Sequence, residues 1–237
     1  MEEEVPLIEP PVLNQQEIEQ LIGTKISNLS LFRKAFTHKS ALKKYTLTES
    51  FETLEFIGDS VLGFVITKML FDRFTEEQEG FLTKARTKLV RGNTLSQIAR
   101  KLNLDRWVLM DDKGIRNGWN KNEKILEDVF EALIGAIYLD LGLLHVKRFI
   151  LKIYDDPTLV DMSCLSVDDN FKDQLMRFCQ MNKFNLPHYE CSSLGNRFES
   201  AVWIQGVEYG RGYGHNKKMS EQQAAYSTLV QFREITL

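Results

Sequence analysis

Two stretches of this chain set carboxylates inside helical patterns that are otherwise apolar. They are Phe51-Glu-Thr-Leu-Glu-Phe-Ile-Gly-Asp-Ser60 and Glu127-Asp-Val-Phe-Glu-Ala-Leu-Ile-Gly-Ala136. Glu55 and Asp59 are four residues apart, and Asp128 and Glu131 three apart, so each pair shares one helix face. Helix rise separates the first pair by about 6 Å and the second by about 4.5 Å. Acids on a core-facing stripe are costly unless something neutralises them. A hard divalent cation does so, and carboxylate oxygens suit magnesium or manganese where Cys and His would suit zinc. Two such ions about 3.5–4 Å apart can stabilise the attacking and leaving oxygens of a phosphoryl transfer. Glu52 extends the acidic face by one turn. The plain alternative is a set of solvated helix-surface acids. A carboxylate-bridged oxygenase site would need Glu-x-x-His motifs, and neither stretch contains a His.

The rest of the composition narrows the class. With 237 residues there is material for one large or two modest domains. No apolar run reaches the roughly 18 residues of a membrane span, and no membrane partner is expected. The start, Met1-Glu-Glu-Glu-Val-Pro6, has neither the basic nor the apolar part of a secretory signal. Cys164, Cys179 and Cys191 show no paired metal spacing and read as free thiols of a reducing compartment. A cytoplasmic location is expected, with an organelle or the host cytoplasm of a viral protein also open. The net charge of -3 places any nucleic-acid binding on local basic patches or on metal ions.

Residues 1–13, with Pro6, Pro10 and Pro11, read as a mobile arm. Helical stripes then run to about Tyr154. Asp111 to Asn122, with Gly114 and Gly118, reads as a loop. Residues 155–168 lose the stripe and read as a linker. From residue 169 the pattern becomes helix, three short Gly-punctuated strands, helix: Phe171–Met181, Tyr189–Cys191, Phe198–Gln205, Val207–Tyr213 and Asn216–Phe232. This order makes a small α+β domain with both helices on one face of an antiparallel sheet.

The stretch Phe51-Glu-Thr-Leu-Glu-Phe-Ile-Gly-Asp-Ser-Val-Leu62 closely resembles the signature of the ribonuclease III family. Asn122-Glu-Lys-Ile-Leu-Glu-Asp-Val-Phe-Glu-Ala-Leu-Ile-Gly-Ala-Ile-Tyr-Leu-Asp140 resembles the family's second motif. Ala35-Phe-Thr-His-Lys-Ser40 and Glu79-Gly-Phe-Leu-Thr-Lys-Ala-Arg-Thr-Lys-Leu-Val90 match further blocks in the same order. The resemblance covers residues 15 to 233. It implies an all-α endonuclease domain over residues 14–154, followed at 169–237 by an α-β-β-β-α double-stranded-RNA-binding domain. The implied enzyme is a homodimer that hydrolyses both strands of duplex RNA with magnesium, or manganese in its place, leaving 5′-phosphate ends and short 3′ overhangs. The implied metal ligands are Glu55, Asp59, Asp128 and Glu131, with Glu131 the most sensitive. Glu52 joins the catalytic set, and Glu79 matches an acid near the scissile strand. Phe56 matches an aromatic that plugs into the partner subunit, against which simple core packing stands as an equal reading. Gly58, costly in mid-helix, fits a close helix approach at the dimer interface.

The resemblance also implies RNA contact by the basic stripe Lys84, Lys88 and Arg91, and by Arg116 in the basic loop. A solvated face is the ordinary reading of such a stripe. His38 reads as a structural, hydrogen-bonded residue in an apolar helix. In the C-terminal part Asn216-Lys-Lys-Met-Ser-Glu-Gln-Gln-Ala-Ala225 resembles the domain's phosphate-binding motif, giving Asn216, Lys217 and Lys218 as RNA contacts, with Lys172. Gly206, Gly210, Gly212 and Gly214 are assigned to strand turns. Two departures weaken this half: Met176 and Arg177 stand where an acid or amide is usual, and the usual Gly-Pro-x-His loop between the first two strands is missing. The rival class is a catalytically silent duplex-RNA-binding or sequestering relative. All four acids are retained, and a binder gains nothing from an acidic cluster facing RNA. A third class is a structural dimerisation module whose acids form surface ion pairs.

Overall fold

The computed structural model describes residues 13–166 and 170–232. It divides between Leu165 and Ser166 into two compact units, each with its own core. The expected arm lies outside the described residues except for Leu13, which is buried against the first core.

The first unit is helical. Its α-helices are α1 (Gln15–Ile22), α2 (Leu29–Ala35), α3 (Ala41–Lys44), α4 (Glu52–Arg73), α5 (Glu79–Val90), α6 (Gly92–Lys101), α7 (Asp112–Arg116), α8 (Glu123–Leu141) and α9 (Leu143–Asp155). Helix α8 is the axis of the unit. Every residue from Asp128 to Ile137 is buried, as expected of a helix enclosed on all sides, and α2, α4, α6 and α9 pack around it.

The tightest packing is between α4 and α8. A Cβ on Gly58 would stand 1.8 Å from the Glu131 carbonyl oxygen, and one on Gly135 would stand 2.2 Å from the Leu54 carbonyl oxygen. Numbers rise along α4 as they fall along α8, so the helices run antiparallel with their backbones touching. Gly58 is therefore explained within one chain. The approach expected at a dimer interface is not what requires it.

Three other expectations change. The segment 111–122 is not a plain loop: Asp111 caps α7, its Oδ1 accepting from Gly114 N at 2.7 Å, and a 3-10 turn follows at Trp119–Lys121. His38 lies between α2 and α3 rather than in a helix, where Thr37 bridges to Leu109. Its Nδ1 accepts from Ser40 N at 3.1 Å and its backbone N–H donates to Leu109 O at 2.9 Å. The expected linker begins inside the first unit, since Val160 and Leu165 are buried in its core and Lys101 donates to Leu159 O.

The second unit is an antiparallel sheet ordered β1 (His188–Leu194), β2 (Arg197–Ile204), β3 (Val207–Gly214), with α10 (Phe171–Met181) and α11 (Lys217–Gln231). Leu175, Cys179, Val202, Ile204, Ala224, Ala225 and Leu229 form its core. The Gln205-Gly206 turn has both φ positive, as a tight hairpin needs. Gly210, Gly212 and Gly214 are not turn residues. They face α11 from β3, and added Cβ atoms would fall 2.1–2.6 Å from its backbone. Among the described residues no helix is long and apolar enough to cross a membrane.

Replacing Gly58 by Ala should cost about 3 kcal/mol, because two backbones must separate. Gly80→Ala, with open space at its Cβ, should change stability by no more than about 1 kcal/mol. Chemical denaturation of both variants checks this.

Candidate active site

The α4–α8 crossing decides where the acids stand. Glu52, Glu55 and Asp59 lie on the first turns of α4, and Lys124, Glu127, Asp128 and Glu131 on the first turns of α8. Glu55, Asp128 and Glu131 each bring a carboxylate oxygen within 4.8 Å of the others. Asp128 and Glu131 are only 7% and 6% exposed, whereas Glu55 is half-buried and Asp59 and Glu52 are exposed. Glu52, Glu55, Phe56, Asp59, Val90, Lys124, Glu127 and Glu131 line an open cleft of about 380 Å³. Asp59 thus shares the cleft but stands outside the converging trio.

The electrostatics show an unmet demand for positive charge. Burial, the charges of Asp59 and Glu127, and that of Glu55 push Glu131 up to about 8, with Lys124 opposing. Glu55 is raised by burial and by the charge of Asp128. Burial works to lower Lys124, but the close approach of Asp128 and the charges of Glu127 and Glu55 outweigh it and hold the ammonium above the usual lysine range. Asp128 Oδ1 is buried without a hydrogen bond. Lys124 Nζ lies 2.7 Å from it as an ion pair. Three converging hard donors, two of them buried, fit magnesium or manganese. Glu55, Asp128 and Glu131 would hold such an ion, with Asp59 beside them.

Lys124 and Glu127 were not read from the sequence as part of this site. Their signal was spacing, since Lys124 stands three and four residues before Glu127 and Asp128. The other expected residues scatter. Glu79 is at the far end of α5, about 16 Å along the helix from Val90, where it accepts from Thr83 Oγ1 at 2.7 Å. Lys84 is exposed on α5, Lys88 is partly buried near its end and Arg91 is exposed just after it, and none of the three lines the cleft. Arg116 is exposed on the last turn of α7. Phe56 is 78% exposed, which removes the core-packing reading, and it shares a face of α4 with exposed Phe64 and Phe71.

In the second unit Asn216 caps α11, its Oδ1 accepting from Met219 N at 2.9 Å. Lys217 and Lys218 are exposed at the start of that helix. Lys172 is engaged internally, paired with Glu221 and set 4.4 Å over the Tyr189 ring. The first two strands are joined by Gly195-Asn196 alone, with Leu194 paired to Arg197. The structure therefore has no room there for the missing loop.

A family profile described as Ribonuclease-III-like matches residues 28–156, more than half of the chain. The chain belongs to the ribonuclease III family. A profile for the double-stranded RNA binding motif matches residues 171–231. Ribonuclease 3 of Francisella tularensis subsp. holarctica is 38% identical over 213 residues, covering 86% of this chain and 89% of that one. A protein of Paramecium bursaria Chlorella virus 1 is 39% identical over 220 residues, covering 90% of this chain and 78% of the other. Among solved structures, the nuclease domain of ribonuclease III from Campylobacter jejuni aligns with a TM-score of 0.55 at 37% identity, over 60% of this chain and 93% of that one. A second structure of that domain, with a TM-score of 0.54 and 37% identity over 59% of this chain and 94% of that one, is described for flexibility in a region involved in dimer formation. This ribonuclease III is thus an enzyme with a helical nuclease domain and a duplex-RNA-binding motif, and its acidic cluster agrees with the metal dependence general in the family.

The raised carboxyls fix the pH response of the metal-free protein. An unfolded Glu loses its proton near 4.5, whereas folded Glu131 keeps it to about 8. Between those values the folded state binds more protons, so stability falls as pH rises through this window and levels off above it. Melting in EDTA from pH 4.5 to 9 should show that slope, and Glu131→Gln should flatten it.

Proposed function

We propose that this ribonuclease III is a magnesium-dependent, homodimeric endonuclease that cuts both strands of duplex RNA. The observation that carries the reading is the convergence of the Glu55, Asp128 and Glu131 carboxylates at the α4–α8 crossing, with Asp128 and Glu131 buried. Bound there, with a second ion beside Asp59, magnesium or manganese would polarise the scissile phosphate, activate the attacking water and stabilise the leaving oxygen.

The chain's own part is placement. Glu55, Asp128 and Glu131 are fixed by two helices whose backbones touch, so the ligands are set before substrate arrives. Glu52 and Asp59 line the approach to the trio and add negative charge that favours cations over anions. In the reaction the water oxygen bonds to phosphorus, the bond to the ribose 3′ oxygen breaks, and that oxygen takes up a proton. The ends are a 5′-phosphate and a 3′-hydroxyl. The exposed Phe56, Phe64 and Phe71 face of α4 supports docking of a second copy, and two subunits cutting one strand each would leave short 3′ overhangs. Lys84, Lys88, Arg91 and Arg116 would contact phosphates of the duplex, as would Lys217 and Lys218 at the start of α11. Lys172 would have to exchange its pairing with Glu221 for a phosphate.

The test is cleavage of a long end-labelled RNA duplex. Products should form with magnesium, and neither with EDTA nor with Glu131→Gln. The variant should still retard duplex in calcium. Intact duplex that is retarded by the wild type in magnesium would move the chain to the binding class. In gel-shift titrations, Lys217→Ala with Lys218→Ala should weaken duplex binding and lower the salt slope by about 2. An unchanged slope would remove α11 from the RNA contact.

A further inference from the structure

The acid cleft already contains a cation of its own. Lys124 Nζ lies 2.7 Å from Asp128 Oδ1, 3.5 Å from Glu127 Oε2 and 3.9 Å from Glu55 Oε1. Nothing in α8 calls for it. Lys124 stands on the first turn, where a positive charge opposes the helix dipole. Its side chain is 63% exposed, while that of Asp128 is only 10% exposed. A solvated stem therefore delivers an ammonium to a buried carboxylate. Two of the three acids that it touches, Asp128 and Glu55, belong to the converging trio, and the contacted Asp128 oxygen is the one without a hydrogen bond. An incoming ion and the ammonium want the same oxygens.

We propose that Lys124 is a tethered cation that occupies the Asp128–Glu55 side of the cleft in the ion-free protein and competes with the divalent ion for it, thereby setting the metal affinity of the site. The inference rests on the metal reading of the cleft. One ammonium against the trio and its neighbours Glu52, Asp59 and Glu127 leaves a large excess of negative charge, so a divalent ion can still displace it. Because the stem is exposed, the side chain can swing into water without disturbing the helix. Lys124 would thus hold the ligands together before the ion binds, at the expense of how tightly the ion is bound. In the ion-free protein it acts as a positioning residue for the acids.

The test is manganese binding by calorimetry, with melting in EDTA and in manganese, on the whole chain. Lys124→Gln should bind manganese about tenfold more tightly than the wild type, since the ion no longer has to displace an ammonium from the same oxygens. It should melt lower in EDTA and gain more on adding manganese. Lys124→Arg, which keeps the charge, should follow the wild type and shows that folding is not the issue. Equal manganese affinity in wild type and Lys124→Gln, or weaker affinity in Lys124→Gln, overturns the competition while leaving the metal site standing. Absence of manganese binding in both proteins overturns this proposal together with the metal reading. Glu131→Gln, expected to bind manganese poorly, identifies the site being measured.

Discussion

Two helices whose backbones meet at a pair of glycines set the geometry of the acidic cleft. Gly58 lies against the carbonyl of Glu131, and Gly135 against that of Leu54. This contact brings Glu55 within reach of Asp128 and Glu131. Any side chain larger than hydrogen at either glycine would push the helices apart, and the carboxylate oxygens with them. The same segment of α8 therefore supplies both the packing surface and two of the three converging carboxylates. That explains why α8 is enclosed on all sides while still carrying two ionisable groups in its buried stretch.

Burying those groups has a cost that the apolar core alone does not meet. Glu131 is pushed up to about 8 by burial and by its acidic neighbours, so the folded chain prefers it protonated or beside a cation. Lys124 meets part of that demand from the solvent side. Activity and stability draw on the same electrostatic imbalance. A cleft fully neutralised by protein groups would be a more comfortable fold and a poorer place for a metal ion.

The acidic spacing was legible in the sequence because helical periodicity and carboxylate placement are both one-dimensional properties. The α-β-β-β-α order was legible for the same reason: the period changes from 3.6 to 2 at a recognisable point. What escaped was what depends on a neighbour far along the chain. Gly58 looks the same in sequence whether it meets a partner subunit or α8, and only the fold shows that it meets α8. Phe56 fits a core and a surface equally well until the opposite face of α4 is seen to be filled. Lys124 and Glu127 look like an ordinary surface pair, and become part of the site only when α4 is laid against them. Residues 159–165 carry too short an apolar pattern to announce that they close the first core.

The bare face of β3 has a consequence for aim. At Gly210, Gly212 and Gly214 helix α11 lies close against the main chain of β3, and Thr228 Oγ1 on α11 accepts from Gly210 N at 3.1 Å. The direction of α11 is therefore set by this close approach as well as by Leu175, Val202 and Leu229 in the core nearby. Lys217 and Lys218 begin where that contact begins. The core of this unit can change in volume by substitution while the start of α11 keeps its place on the sheet, like a sight bolted to the frame instead of to the stock.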